Sequence, residues 1–156
     1  MAMSSSREIP VEDISPCQGR VLVAEDNAAL RDYLVTVLLS QGYDVAEASN
    51  ADDLVDTLAV SLHPDLGSGT FDLVIAEDRL FHRGETALGM GGWGGGKIPP
   101  FVLIGGTGRV PGQRLASRAV ARFDKPLDIE DLCDTVRRLA HNVSAKSEPT
   151  QAVANN

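Results

Sequence analysis

What most constrains this chain is a set of short apolar runs, each stopped abruptly by charged residues or glycines. Arg20-Val21-Leu22-Val23-Ala24 stops at Glu25-Asp26-Asn27, and Phe71-Asp72-Leu73-Val74-Ile75-Ala76 stops at Glu77-Asp78. Phe101-Val102-Leu103-Ile104 stops at Gly105-Gly106, and the weaker run Ala119-Val120-Ala121-Arg122-Phe123 stops at Asp124-Lys125-Pro126. A fifth run, Tyr43 to Ala48, alternates apolar and polar residues, as a strand with one exposed face does. Between the runs the period changes to that of a helix. Leu30, Leu34, Val37 and Leu38 share one face, with Gly42 as a left-handed stop. Leu54, Leu58 and Leu62 follow Asn50, with Asp53 placed to help the cap, and Ile129, Leu132, Val136 and Leu139 follow Asp128. Strands alternating with helices imply βαβ units and a parallel sheet, and continuous apolar runs imply a sheet covered on both faces.

The remaining sequence sets limits. Residues 1–18 are polar, contain Pro10 and Pro16, and read as a flexible leader, with residues 19–142 as the domain and residues 143–156 as a disordered tail. The N-terminus has no apolar stretch of a secretory signal, and no run approaches the roughly 20 residues that span a bilayer. Acidic residues number 22 against 14 basic ones, a formal net charge of −8. A chain so charged is a poor partner for nucleic acid or an anionic membrane, both of which need a basic surface. Cys17 and Cys133 are far apart and outside any metal-ligand spacing, which fits a reduced, cytoplasmic setting.

In an open parallel sheet the functional site lies beyond the carboxyl ends of the strands. The residues expected to converge there are Glu25, Asp26, Glu77, Asp78, Gly105 and Lys125. Clustered carboxylates repel, so they need a divalent cation, a lysine, or a raised pKa on one member. Hard oxygen ligands with open positions suit Mg²⁺. The plainer role for these acids is helix capping, by Asp26 or Asn27 for the first helix and Asp128 for the last.

Four stretches together resemble the receiver domains of two-component response regulators, from about Gly19 to His141. Val21 to Asn27 is similar to the family's first strand and acidic pair, and Asp72 to Glu77 to its third strand with the phosphoacceptor position last. Pro100 to Gly106 is similar to the fourth strand and its hydroxyl-bearing position, and Asp124 to Asp128 to its Lys-Pro turn. The resemblance implies a flavodoxin-like (βα)5 three-layer sandwich with a five-stranded parallel sheet of order 2-1-3-4-5. It implies phosphoryl transfer from a kinase histidine to an aspartate, with Glu25 and Asp26 as the acidic pocket and Lys125 contacting phosphate. A metal would be held by Asp26, Glu77 and the backbone carbonyl of Arg79. A hydroxyl on the fourth strand and an aromatic residue on the fifth would act as the switch.

This sequence keeps the acidic pair and the lysine but departs from that pattern at the acceptor, hydroxyl and aromatic positions and in the third helix. The phosphoacceptor position is Glu77, whose carboxylate reaches about 1.3–1.5 Å further than an aspartate's; such a displacement from in-line geometry costs a large factor in rate. Asp78 reaches the position only if the strand carries a one-residue bulge, which is uncommon in buried parallel strands. The hydroxyl position is Gly105, with Thr107 two residues on read as a loop residue. The aromatic position is Arg122, expected to be exposed, and Phe123 should face the other way. Seven glycines between positions 84 and 96 should melt most or all of the third helix, leaving at most a turn at Glu85 to Leu88, since each interior glycine costs about 1 kcal/mol relative to alanine. Trp93 in that segment is expected to plug the gap on the sheet. Gly91 to Lys97 imitates a P-loop, but Ile98-Pro99-Pro100 follows and excludes a phosphate-binding helix start.

The expectation is therefore a degenerate receiver that works by binding a histidine kinase or other signalling protein, without enzymatic activity and with Mg²⁺ held weakly or not at all. Its candidate surfaces are the first helix, with Arg31 and Asp32 exposed, and the face of the last two helices. The alternatives are a receiver phosphorylated at Asp78 or Glu77 with Mg²⁺, and a small-molecule sensor using the glycine-rich opening.

Overall fold

The computed structural model describes residues 17–63, 65, 69–90, 98–106 and 118–147. The leader through residue 16, Trp93, the P-loop-like stretch, Thr107 and residues 148–156 lie outside the described residues, and so do the expectations placed on them. Five strands, β1 (Arg20–Ala24), β2 (Asp44–Ala48), β3 (Leu73–Glu77), β4 (Phe101–Ile104) and β5 (Ala119–Phe123), form one parallel sheet of order β2-β1-β3-β4-β5. Among the described residues the helices are α1 (Ala28–Ser40), α2 (Ala51–Leu62), α3 (Asp78–Met90) and α4 (Ile129–Ser147). The parallel sheet is the one that the strand-helix alternation predicts, and its order is that of the flavodoxin-like architecture that the resemblance implies.

Strand alternation divides the core in two. Leu22, Ala24, Val74, Ala76, Phe101 and Leu103 pack with Leu54, Leu58, Leu80, Phe81 and Leu88 of α2 and α3. Val21, Val23, Leu73, Ile75, Val102 and Ile104 pack with Leu34, Leu38, Leu132 and Val136 of α1 and α4. The three central strands are buried on both faces, which is why their sequences are unbroken apolar runs.

The helix starts follow local chemistry. Asn27 Oδ1 accepts from the Leu30 amide at 3.0 Å, and Asn50 Oδ1 accepts from the Asp53 amide at 2.8 Å. Asp128 Oδ1 accepts from the Glu130 and Asp131 amides, both at 3.1 Å. Gly42 ends α1 at φ +93°, a conformation that a Cβ opposes. Because Asn27 caps α1, Asp26 is left for the site. The last helix runs to Ser147, so residues 143–147, expected in the tail, are helical. Among the described residues no helix is long and apolar enough to cross a membrane.

The third helix corrects the sequence expectation. α3 begins directly at Asp78 and runs 13 residues, through Gly84. Burial of Leu80, Phe81 and Leu88 outweighs the propensity cost, and the helical glycine has a packing reason. A Cβ on Gly84 would lie 3.1 Å from Val55 Cγ2, so the glycine lets α3 approach α2 closely. Gly84→Leu is expected to wedge the two helices apart and cost about 1–3 kcal/mol, read as a lower midpoint in urea denaturation with an unchanged circular dichroism spectrum.

Candidate functional site

The carboxyl ends of β1, β3, β4 and β5 bring Glu25, Asp26, Glu77, Gly105 and Lys125 together. Glu25 is fully buried. Its Oε1 accepts from the Asn27 amide at 3.0 Å, and its Oε2 lies 3.2 Å from Lys125 Nζ. Arg31 Nη1 donates to the Glu25 carbonyl at 2.8 Å, and Arg31 Nε lies 3.6 Å from Glu47. Arg31 is thus half-buried and tied inward, contrary to its expected exposure, whereas Asp32 is exposed. Burial raises the Glu25 pKa above the ordinary 4.5, against the lowering effects of the Asn27 amide and Lys125.

Glu77 ends β3 in regular register, with Ala76 beside Ala24 and Glu77 beside Ile104, and no bulge. It is 4% exposed. Arg79 Nε donates to its Oε1 at 2.8 Å, and Arg79 Nη2 reaches Asp26 Oδ2 at 3.5 Å. Glu77 Oε2 is buried without a hydrogen-bond partner among the described residues. Hydrogen bonding to Glu77, then the charges of Glu77 and Asp26, raise the Arg79 pKa. A cation in the first turn of a helix opposes the helix dipole, so these carboxylates, not α3 itself, hold Arg79 there.

Gly105 adopts φ +76°, and a Cβ on it would lie 3.5 Å from Lys125 Cε and 3.9 Å from Glu77 Oε1. The backbone at the hydroxyl position has therefore taken a form that favours glycine. The Lys125–Pro126 peptide is cis.

Asp78 lies apart from this group. It is fully buried at the start of α3, its Oδ1 3.3 Å from Arg122 Nη1 and 3.4 Å from His82 Nε2. His82 Nδ1 is 3.2 Å from Glu85 Oε2. Arg122, expected to be simply exposed, instead pairs with this interior carboxylate. Its register partner Leu103 belongs to the α2/α3 core, and Phe123 packs on the α1/α4 side. The bulge in this sheet lies in β5, between the Phe101 and Val102 partners, and not in β3.

A divalent ion bridging Asp26 and Glu77 does not fit this arrangement, because the Arg79 guanidinium already spans those two carboxylates. No group of three or more His, Cys, Asp or Glu side chains among the described residues could hold a metal. Sequence reasoning considered only the backbone carbonyl of Arg79 and missed its side chain. It also missed the Asp78–His82 pair, whose i,i+4 spacing on α3 was the one available signal.

The sequence matches no protein-family model and none of the curated proteins. The structure is similar to solved receiver domains. The receiver domain of the hybrid histidine kinase CckA is 24% identical, with 78% of this chain and 99% of that one covered at a TM-score of 0.53. The chemotaxis response regulator CheY4 of Vibrio cholerae is 20% identical, with 78% and 98% covered at 0.59. A CheY-like receiver domain protein from Methanospirillum hungatei JF-1 is 17% identical, with 82% and 98% covered at 0.58. The chain has the fold of response regulator receiver domains.

Two outcomes follow. Gly105→Thr forces a branched side chain to positive φ and is expected to cost about 1–2 kcal/mol, measured by thermal or urea unfolding. For Glu25, the folded-state pKa is raised, so protonated Glu25 is favoured by folding and the advantage is lost as pH climbs from 4.5 through the folded value. The stability of Glu25→Gln minus that of the natural chain should therefore rise between those pH values, measured by parallel denaturation series.

Proposed function

We propose that the chain is a receiver-type module of two-component or phosphorelay signalling that acts by binding a partner, not by carrying a phosphoryl group. The observation that carries this reading is Glu77: buried, one methylene too long for the acceptor position, and hydrogen-bonded to Arg79. Attack on phosphorus needs a free carboxylate oxygen in line with the leaving group. Glu77 carries its carboxylate one methylene beyond that position, with Oε1 on a guanidinium and Oε2 buried, and the position that would bind the new phosphoryl group is a glycine. Arg122, where the family's switch has an aromatic side chain, is anchored on Asp78. The site thus keeps a fixed charge state.

The partner on this reading is a histidine kinase or another signalling protein. The outer face of α1, with Asp32, Tyr33 and Leu39 exposed, is one candidate surface, and the outer face of α4 is the other. Incubation with acetyl phosphate and Mg²⁺ should leave the intact mass unchanged. A phosphoryl mass gain that disappears in Glu77→Gln or in Asp78→Asn would contradict the proposal.

A further inference from the structure

We infer that Arg79 is the built-in counter-cation of the acidic pocket, occupying with its side chain the role that a divalent ion would otherwise fill. The inference rests on reading this pocket as closed to phosphoryl chemistry, and goes further by naming what closes it. Three carboxylates, Glu25, Asp26 and Glu77, meet at adjoining strand ends. Lys125 accounts for one of them, at 3.2 Å from Glu25. The other two share the Arg79 fork, Nε on Glu77 Oε1 and Nη2 on Asp26 Oδ2. The fork places a positive charge between carboxylates from two separate strand ends, where a metal ion bridging them would sit. A divalent cation drawn to the remaining oxygens would meet that charge at close range, and like charges repel. The tether is short: Arg79 lies two residues beyond Glu77, on the first turn of α3, so the cation is always present at high effective concentration.

The pocket should consequently be indifferent to divalent ions until the arginine is removed. Mn²⁺ titration of the natural chain, followed by water-proton relaxation, should show no saturable site that depends on Asp26. Arg79→Gln, which keeps a polar side chain and deletes the charge, should gain such a site, at least roughly tenfold tighter because the net ligand charge becomes more negative. Asp26→Asn in the Arg79→Gln background should remove it again. A saturable Mn²⁺ site in the natural chain that Asp26→Asn abolishes would overturn the inference, as would a folded Arg79→Gln chain that gains none. If Arg79→Gln does not fold, the natural-chain titration still decides. The result is separable from the functional reading: a chain that binds Mn²⁺ at Asp26 but is never phosphorylated sinks this inference alone, and one phosphorylated without binding Mn²⁺ sinks the other.

Discussion

Three carboxylates gathered at the carboxyl end of a parallel sheet must be neutralised, and the way this chain neutralises them governs the rest of the site. The topology brings the acids together whatever their role: β1 and β3 are neighbours, so the residues just past Ala24 and Ala76 emerge side by side. Two of the three are almost wholly buried, and a buried charge without a partner is costly. Lys125 from the end of β5 and Arg79 from the start of α3 supply the partners. Each bridge links elements distant in sequence or closes the turn from strand to helix, so the electrostatics also hold the top of the domain in shape.

Alternation along β3 explains why two adjacent acids have unrelated surroundings. Glu77 belongs to the strand and meets the pocket of Glu25, Asp26 and Lys125. Asp78 opens α3 and turns to Arg122 and His82 beside the α2/α3 core. Both are shielded from water, yet each has its own arginine. One pair closes the turn from β3 into α3, and the other ties β5 to the start of α3.

Much of this was legible in the sequence, and the limits have physical causes. The apolar runs and their abrupt ends pointed to a parallel sheet and to the convergence of Glu25, Asp26, Glu77 and Lys125, because a strand buried on both faces leaves a continuous apolar pattern; the strand order came only from the resemblance to receiver domains. The glycine at position 105 was visible as a missing hydroxyl; that its backbone sits at positive φ was not, since φ is set by the β4–β5 exit. The persistence of α3 was misjudged because propensity is local, while Gly84 is a contact residue whose value depends on Val55 across the helix interface. The side-chain partners of Arg79 and Arg122 were not legible for the same reason: a long cationic side chain declares its length and charge in sequence, but not the carboxylate at its far end.

The most direct test of the central claim is the NMR signal of the Arg79 Nε–H, compared between the natural chain and Glu77→Leu, which removes the acceptor. Fixed by Glu77, this proton should be protected from exchange with water and strongly shifted, and both effects should be lost in the variant. An Arg79 Nε–H that exchanges as freely as those of solvent-exposed arginines, and that is indifferent to Glu77→Leu, would contradict the account.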